Sequence, residues 1–493
     1  MPQNIAIIGS GFLGMTLALR LSQSGAKVTI FESADQIGGL ASSWKIGEFE
    51  WDRHYHVTLA SDSFTRKIIG ELGLGDDFNW VETKTGFYTE GQLYSMSDTL
   101  EFLRFPPLGL INKLRLGATI FVASRRRNWK ALEKIPVEKW LTRLSGKRTF
   151  EKIWRPLLKA KLGDAYKTTS AAFIWATIQR MYAARRTGLK KEMFGYVRGG
   201  YARVLERFSE ALIAQGVEIH FNSRIESLNK LPDGSIKVIL VESRRRADLQ
   251  REPPKNASND PSETKYARMQ TSVAVAQGYS GMFLSKPASA GRKSNSFEEA
   301  IASQTFDEVI LTCPSKAAAE ILPQLSETER AKLRDIKYQG IVCASVLLKC
   351  SLSNFYVTNI TDDAPFTAVI EMSALVDKKH FGRNALIYLP KYVAPDDDLF
   401  EKSDDDIRRS FLAGLEKMYP MFRMNDVLAF NVSRVRNVFP LPTLKYSETL
   451  PAVETSLGNV FVLNSSHIVN GTLNVNETIQ LAENFVAGRS TVR

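Results

Sequence analysis

The first forty residues carry the clearest hydrophobic pattern of the chain. Residues 5–8 are an unbroken apolar run, which is typical of a strand buried on both faces of a parallel sheet. A glycine-rich turn occupies 9–14, and residues 15–24 then have helical spacing of apolar side chains. A second apolar run at 27–31 ends in Glu32. This order predicts a strand, a tight turn, a helix and a second parallel strand.

The pattern changes along the rest of the chain. Residues 61–194 are mostly helical in spacing, apart from a strand pair predicted around a turn at Glu90 and Gly91. Further elements are predicted as strands at 307–313, 341–349, 366–372, 385–390 and 458–464, and as helices at 202–215, at 404–418 and from about 476 onward. The fold class is therefore α/β: a Rossmann-like domain of parallel strands and helices, interrupted by a mixed α+β domain.

A chain of 493 residues is too long for one simple core, which favours two domains. We predict a discontinuous nucleotide-binding domain made of 1–60, 195–240, 304–330 and 455–493, and a substrate-binding domain made of 61–194 and 335–454. Residues 242–303 are rich in Ser, Asn, Lys and Gly and poor in large apolar side chains. We interpret them as a flexible insertion.

The glycine turn predicts a dinucleotide site. Gly9 permits the sharp turn, Gly11 lets the backbone approach a pyrophosphate, and Gly14 lets the helix lie close to the sheet. Phe12 and Leu13 lie between these glycines and are candidate cofactor contacts, and the free N–H groups of the helix that follows attract an anion. Glu32, followed by Ser33, can accept hydrogen bonds from the ribose hydroxyls. A glycine turn that only packs tightly would need no acid at this place.

A second glycine pair, Gly38 and Gly39, is followed by Leu40 and Ala41. With this extension the motif resembles the FAD-binding superfamily of amine oxidases, protoporphyrinogen oxidase, carotenoid desaturases and UDP-galactopyranose mutase. The resemblance implies FAD, with the second pair near its phosphates. It also implies that cofactor contacts come from four later residues: Ile225, Asn464, Val475 and Asn476. Similar proteins carry an acid where this chain has Asn464.

The same resemblance suggests residues for the substrate side. Similar flavoproteins have an Asp-x-Gly-x-His stretch entering the flavin cavity; Asp52 and His56 match it, and His54 replaces the glycine. In an extended segment His54 and His56 would share one face. His56 is the catalytic candidate, as proton carrier or substrate contact, and a structural hydrogen bond is the alternative. Arg434 and Arg436 are candidates for lining the substrate cavity.

Charge is unevenly distributed. The net charge is +12, whereas residues 101–200 alone hold 23 Lys or Arg and 6 Asp or Glu, a local +17. This favours an anionic or lipid-like small-molecule substrate or a peripheral membrane contact, and a solvated basic face is the alternative. No nucleic-acid-binding module is recognisable. The apolar stretch 105–124, followed by three arginines, fits a membrane surface, but a core helix is the favoured interpretation.

Cysteine usage adds little chemistry. Cys313, Cys343 and Cys350 are too scattered for a disulfide framework or a zinc site, so we expect reduced packing residues, no metal and non-covalent FAD. The first strand begins near residue 1, leaving no room for a signal peptide. We therefore expect a cytoplasmic protein, with membrane association as an option.

The resemblance implies hydride removal from a C–H bond, with electrons passed to oxygen or another acceptor. Two alternatives stay open. One is a redox-neutral mutase acting on a sugar nucleotide, like UDP-galactopyranose mutase. The other is a non-enzymatic binding protein of the Rab GDP-dissociation-inhibitor type, although the intact glycines and Glu32 argue against it.

Overall fold

The computed structural model describes residues 2–185, 193–243 and 299–490. The chain divides into one compact unit of residues 1–240 with 303–493 and a second of 241–302. Most of the predicted insertion, 244–298, lies outside the described residues, so its flexibility stays a prediction, as do the domain boundaries. The strands are β1 Asn4–Ile8, β2 Lys27–Phe31, β3 Ser43–Ile46, β4 Phe49–Asp52, β5 Thr58–Leu59, β6 Phe78–Glu82, β7 Thr85–Thr89, β8 Gln92–Ser95, β9 Met193–Val197, β10 Glu218–His220, β11 Ser223–Lys230, β12 Ile236–Ser243, β13 Glu299–Phe306, β14 Glu308–Leu311, β15 Tyr338–Leu348, β16 Val357–Ile360, β17 Ala368–Glu371, β18 Ala385–Val393, β19 Val427–Pro440 and β20 Val460–Val462.

The helices surround two main sheets. They are α1 Phe12–Gln23, α2 Ser63–Glu71, α3 Thr99–Arg104, α4 Leu110–Arg125, α5 Trp129–Leu132, α6 Val137–Ser145, α7 Lys147–Thr149, α8 Arg155–Leu162, α9 Ala171–Arg185, α10 Gly200–Ala214, α11 Ser315–Ile321, α12 Glu327–Arg334, α13 Asp404–Met418, α14 Tyr446–Thr449 and α15 Val475–Ser490. A π-helical turn, Phe150–Trp154, leads into α8. The mostly helical character predicted for residues 61–194 is thus confirmed for the described residues, although β6 and β9 are strands that the spacing does not predict.

The first sheet is parallel, in the order β10-β2-β1-β14-β20. Ile7 at its centre lies opposite Ile30 on one side and Ile310 on the other, and all three are fully buried. Burial of both faces accounts for the unbroken apolar runs in these strands. The α/β prediction and the βαβ unit at the start of the chain are confirmed.

The glycine turn sets how closely α1 approaches this sheet. A Cβ on Gly14 would lie 2.0 Å from the Gly9 carbonyl oxygen, and Gly9 itself has φ +106°. The helix begins at Phe12 rather than at residue 15 as predicted, because residues 12–14 of the motif form its first turn. Only glycine at position 14 allows that turn to rest on the loop.

The second sheet has seven strands, in the order β19-β15-β18-β17-β16-β7-β8. Its neighbours are antiparallel except β16 and β7, which are parallel. The turn between β7 and β8 has positive φ at Glu90 and Gly91, which suits a tight hairpin and confirms the predicted strand pair. Helix α13 covers one face through Ile407, Phe411 and Leu415, as expected from the 404–418 pattern.

Helix α4 contains most of the apolar stretch at 105–124, and it does not bury that stretch. Its buried residues are Lys113, Leu116, Thr119, Ala123 and Ser124. The expectation of a core helix is therefore wrong for most of its large apolar side chains. Among the described residues, no helix combines the length and the apolar character needed to cross a bilayer.

The three cysteines are unpaired. Cys343 is buried in β15 and Cys313 is partly buried, but Cys350 is exposed. The interpretation as packing residues is therefore wrong for Cys350, which follows β15 at the point where the chain leaves the sheet.

Candidate functional site

Open space borders the start of α1 at Gly11. Gly11 is the N-cap of the helix, with φ −66° and ψ 175°, and no heavy atom lies within 4 Å of the position that a Cβ would take there. Phe12 and Leu13 are buried in the core, so they can offer only backbone N–H groups at this end. The first turn of a helix attracts anions through those groups.

Glu32 stands at the end of β2 with its carboxylate held beside the glycine turn. Its Oε2 accepts hydrogen bonds from Ser10 N at 2.8 Å and Ser10 Oγ at 2.7 Å. Its Oε1 accepts from Ala34 N at 2.9 Å and Ser33 Oγ at 3.3 Å. Two of these donors are backbone groups that hold the carboxylate in place. The other two are serine hydroxyls, which can rotate away.

The second glycine pair lies directly against the first motif. Gly38 forms an isolated parallel bridge with Gly11, and its N–H donates to the Ser10 carbonyl at 2.9 Å. A Cβ on Gly39 would lie 3.5 Å from the Gly11 Cα. The short helical turn Gly39–Ala41 includes Leu40, whose carbonyl is 3.1 Å from His54 Nδ1. The two motifs therefore form one backbone cradle.

The segment that carries the two histidines is a bend and not a strand. Strand β4 ends at Asp52, and residues 53–57 connect it to β5, so the alternation expected for His54 and His56 does not hold. His54 is hydrogen-bonded on both ring nitrogens, to the Leu40 carbonyl and to Ser433 Oγ at 3.1 Å. Burial lowers its pKa to about 4. His54 is therefore a neutral structural group.

His56 lies in a narrow pocket with Asp52 and Tyr201. Its Nδ1 donates to the His54 carbonyl at 2.9 Å, which leaves Nε2 as the acceptor nitrogen. The ring centroid is 5.0 Å from that of Tyr201. The pocket is lined by Trp51, Asp52, His56, Thr58, Gly195, Tyr196, Val197, Gly200, Tyr201 and Met372. Burial lowers the pKa of His56 to about 4, so the ring is neutral at pH 7.

Asp52 connects this pocket to the start of α10. Its Oδ1 accepts a hydrogen bond from Tyr201 N at 2.8 Å, while its Oδ2 is 3.9 Å from His56 Nδ1. Burial raises the pKa of Asp52 to about 7, against the lowering effect of the Tyr201 N–H. A carboxyl with this pKa carries a proton through much of the neutral range, which makes it a candidate proton donor.

An aromatic group adjoins this region. The hydroxyls of Tyr55 and Tyr392 are 2.7 Å apart, and Tyr388 donates to the Asp52 carbonyl at 2.5 Å. The Lys161 ammonium lies 3.6 Å from the Tyr392 ring centroid and 5.1 Å from that of Phe439. Burial lowers the pKa of Lys161 to about 7. The cluster therefore combines a cation that can lose its proton with a water-excluding aromatic wall.

The other predicted cofactor contacts lie in three places. Ile225 is buried in β11, the strand whose first residue, Ser223, donates to the Glu32 carbonyl. Asn464 is buried, and its amide bonds the Cys313 carbonyl, Ser315 and Ser466. Val475 and Asn476 begin α15.

Two of these side chains have structural partners. Asn464 ties the end of β20 to the end of β14, and the Asn476 amide oxygen accepts from Phe64 N and Thr65 N at the start of α2. Their side chains are thus engaged with protein groups. A contact with the cofactor through their backbone atoms stays a prediction.

The sequence matches the model of one protein family over most of its length. The flavin containing amine oxidoreductase family matches at residues 14–249 and 291–473. The chain belongs to this family. The predicted superfamily is thereby confirmed, and FAD is the cofactor; its non-covalent attachment stays a prediction.

Proteins related to this chain in sequence include carotenoid desaturases. The 1-hydroxycarotenoid 3,4-desaturase of Flavobacterium sp. (strain P99-3) is 24% identical over 255 residues, covering 45% of this chain and 50% of the relative. The chloroplastic/chromoplastic 15-cis-phytoene desaturase of Narcissus pseudonarcissus is 29% identical over 79 residues, 16% of this chain and 14% of the relative. The matches thus span half of these relatives or less.

Solved structures of other proteins match the fold of this chain over its full length. A candidate protoporphyrinogen oxidase from Exiguobacterium sp. 255-15 has a TM-score of 0.69 at 15% identity, covering 100% of both chains. Reduced UDP-galactopyranose mutase has a TM-score of 0.68 at 14% identity, covering 100% of this chain and 96% of the other. At these identities the likeness shows the fold alone.

The residues present suit the flavin of this family. The space beside Gly11 admits a phosphate group where a side chain would block it, and Glu32 lies next to it. Trp51 Nε1 and Arg53 Nε are buried and have no hydrogen-bond partner within the described parts of the chain. A ligand rich in acceptors can satisfy such donors. No group of His, Cys, Asp and Glu among the described residues could hold a metal.

The expectation that Arg434 and Arg436 line the cavity is not met. Ser433 faces His54, and because side chains alternate along a strand, Arg434 and Arg436 point to the opposite face of β19. Arg434 pairs with Asp404 at 2.6 Å and donates to the Lys402 carbonyl. Arg436 pairs with Glu401 and lies over the Phe400 ring. Both arginines therefore fasten the 395–404 segment to the sheet.

The sequence places Asp52 in a motif but indicates no proton-transfer role for it, and it does not indicate that Lys161 and the aromatic group lie together. Lys161 is on α8 and Tyr392 is on β18, more than two hundred residues apart, and no motif spacing links them. One feature of the sequence does point to a capping role for Asp52. The pair Gly199 and Gly200 with positive φ leaves room at the start of α10 for an acidic capping side chain.

Proposed function

We propose that this chain is an FAD-dependent oxidoreductase that removes hydride from a C–H bond of a small acidic or apolar, lipid-like substrate. The electrons go to oxygen or to another acceptor. The observation that supports this best is the open cradle at Gly11, between Glu32 and Gly38, in a chain of a flavin-containing family. When bound there, FAD supplies two-electron chemistry that the side chains lack.

Glu32 is the proposed contact for the adenosine ribose. Its backbone donors, Ser10 N and Ala34 N, hold the carboxylate, while the hydroxyls of Ser10 and Ser33 occupy the remaining acceptor positions. Two ribose hydroxyls can replace these two serine hydroxyls without moving the carboxylate. A 2′-phosphate at this place would be repelled.

His56 is proposed as a substrate contact and not as a proton carrier. Because burial holds its pKa at about 4, the ring cannot carry a proton at pH 7. Its Nε2 can accept a hydrogen bond from a substrate hydroxyl or carboxylic acid. Asp52 and Lys161, with pKa values of about 7, are better matched to moving protons near neutral pH.

The relatives support a lipid-like substrate in part. Two carotenoid desaturases and a solved fatty acid isomerase from P. acnes, TM-score 0.64 at 13% identity, carry names of apolar or lipid substrates. The local +17 of residues 101–200 adds attraction for an anionic group. A cytoplasmic location with peripheral membrane contact is part of the proposal.

The test is anaerobic bleaching of the protein-bound flavin. We expect polyenes or acidic apolar compounds to reduce the flavin in a single turnover, with air restoring its colour. For acidic compounds the rate should fall as salt rises, because attraction between exposed charges is screened. Simple amines are expected to reduce it slowly or not at all, since the basic field repels them.

Other outcomes would favour the rival functions. Isomerisation of a sugar nucleotide that requires flavin reduced beforehand, with no net electron transfer, would favour a mutase. A protein that retains FAD but bleaches with no member of a panel of polyenes, porphyrinogens, amines and sugar nucleotides would leave the non-enzymatic binding function as the better explanation.

A further inference from the structure

Helix α4 presents its apolar side to solvent. Exposed positions recur along it at helical spacing: Leu110, Ile111, Leu114, Arg115, Gly117, Ala118, Phe121, Val122 and Arg125. Ile111 is 75% exposed and Leu114 is 62% exposed. A surface helix normally turns its apolar stripe inward, so α4 has the reverse orientation.

Polar contacts with α3 and α6 hold α4 in this orientation. The Lys113 ammonium donates to the Leu103 carbonyl at 2.7 Å. The Thr119 hydroxyl lies 2.9 Å from the Ser145 hydroxyl on α6, and Arg115 donates to the last carbonyls of α6. The exposed face is therefore built into the fold by specific bonds.

Helix α3 extends the same surface. Leu100 and Leu103 are exposed, and no residue of α3 is fully buried. The bond from Lys113 to Leu103 brings the two helices together. Seven of the twelve most exposed large apolar side chains in the described parts of the chain lie here: Leu100, Leu103, Leu110, Ile111, Leu114, Phe121 and Val122. We call this set the α3–α4 patch. Clusters of this kind mark interaction sites.

The charges around the α3–α4 patch are mostly positive. Residues 98–132 contain seven Lys or Arg and two acids, Asp98 and Glu101, at the start of α3. Lys113 and Arg115 are engaged with carbonyls, while Arg104, Lys130 and the three arginines at 125–127 are exposed. The guanidinium of Arg125 lies 4.9 Å from the Phe121 ring centroid. An apolar face with a basic border suits the headgroup region of an anionic membrane.

We propose that the α3–α4 patch docks this protein on the surface of an anionic phospholipid bilayer, with α4 lying in the interface. A second copy of the chain is a poor occupant, because two patches that each carry a net positive charge would repel each other. The purpose, access to a substrate dissolved in the membrane, rests on the proposed function. The docking itself does not, and it can be measured without turnover.

The experiment is vesicle flotation of the FAD-loaded protein. Vesicles of phosphatidylcholine alone are compared with vesicles that also contain phosphatidylglycerol. The protein should float with the anionic vesicles, and high salt should release most of it. The double variant Ile111→Asn/Leu114→Asn should bind about tenfold more weakly or worse, since each side chain loses its burial in the interface.

Matched controls separate this surface from general effects. Met421 is 84% exposed outside the patch, and Met421→Asn should leave binding unchanged. Arg126→Gln/Arg127→Gln should weaken binding to anionic vesicles, whereas Arg408→Gln/Arg409→Gln on α13 removes equal charge and should not. Retained flavin in every variant shows that the fold and the cofactor site are intact.

Three results would overturn the inference. They are no binding to either vesicle, equal binding by wild type and Ile111→Asn/Leu114→Asn, or a dimer in sedimentation that this variant converts to monomer. A protein that floats as expected but never reduces its flavin would leave the docking surface standing and count against the proposed function alone.

Discussion

At the scale of single residues, Gly11 offers the sharpest test of the cofactor site. It caps α1 with φ −66° and ψ 175° and has open space around its Cβ position. Gly109 caps α4 with φ −69° and ψ 161° and has equally open surroundings. The two glycines therefore differ mainly in what lies outside the helix end.

We expect Gly11→Val to give a folded protein without flavin, because the branched side chain fills the space for the pyrophosphate. Gly109→Val should retain flavin, since it makes the same change at the same type of cap. Absorbance of the purified proteins gives the flavin-to-protein ratio, and uptake by flavin-free protein checks it. Full flavin content in Gly11→Val would refute this use of the cradle.

The glycine turn of the cofactor site could be predicted from the sequence, because each of its glycines has one physical reason to occupy its position. Gly14 has the Gly9 carbonyl against it, and Gly11 has open space. The histidines could not be interpreted in the same way. His54 stands where similar proteins have glycine. Only the fold shows that its two ring nitrogens bond the Leu40 carbonyl and the Ser433 hydroxyl, and Ser433 is 379 residues away in the sequence.

At the scale of elements, the start of α10 joins the cofactor sheet to the pocket. Gly199 and Gly200 both have positive φ, and a Cβ on Gly200 would lie 2.9 Å from Asp52 Oδ1 and 3.4 Å from the Trp51 ring. The Tyr201 N–H then reaches Asp52. A side chain at Gly200 would push this capping carboxylate away from the helix.

Gly200→Ala is therefore expected to destabilise the protein by roughly 2–4 kcal/mol, from backbone strain and from the contact with Asp52. Gly216→Ala is the matched control. Gly216 has φ +75° with no atom within 4 Å of its Cβ position, so this change should cost only about 1–2 kcal/mol. Urea unfolding of both variants measures the difference. Equal costs would mean that the Asp52 contact is unimportant.

Strands and helices were predicted well where burial was regular, as in β1, β18 and α13. The direction in which an element faces was harder. The expected role of Arg434 and Arg436 failed because it needed the register of β19, which is set by its pairing with β15 and by the bulge near Gln339. The orientation of helix α4 was also predicted wrongly. Its apolar spacing predicts that the apolar face is buried, whereas polar bonds to Leu103 and to α6 turn that face to solvent.

At the scale of the whole molecule, the layout of strands into sheets depended on distant pairing. The parallel sheet followed from its motif, whereas the seven-stranded sheet brings together residues 85–95 and 338–440. No local pattern links β7 to β16. The same long-range assembly buries Asp52 and His54, and partly buries His56 and Lys161, between elements that are far apart in sequence.

These four groups couple the folding free energy to pH in opposite senses. The pKa of Asp52 is about 7 in the fold against 3.8 when unfolded, so its stabilising effect is complete below pH 3.8 and is lost as the pH rises through 7. For His54 and His56 the pKa falls from 6.5 to about 4, so stability rises with pH between 4 and 6.5. Lys161, lowered from 10.5 to about 7, adds stability as the pH rises above 7.

Replacing Asp52 isolates one of these effects. Asp52→Asn keeps an oxygen for the Tyr201 N–H and removes the titration. Relative to wild type, the variant should therefore gain stability between pH 4 and pH 8, by up to about 4 kcal/mol for a shift of roughly three pKa units. Urea unfolding of the flavin-free proteins at both pH values measures this change, and the exposed Asp76→Asn controls for the loss of a negative charge. If the difference between Asp52→Asn and wild type is the same at both pH values, Asp52 is ionised throughout, and its proposed part in proton transfer near neutral pH is wrong.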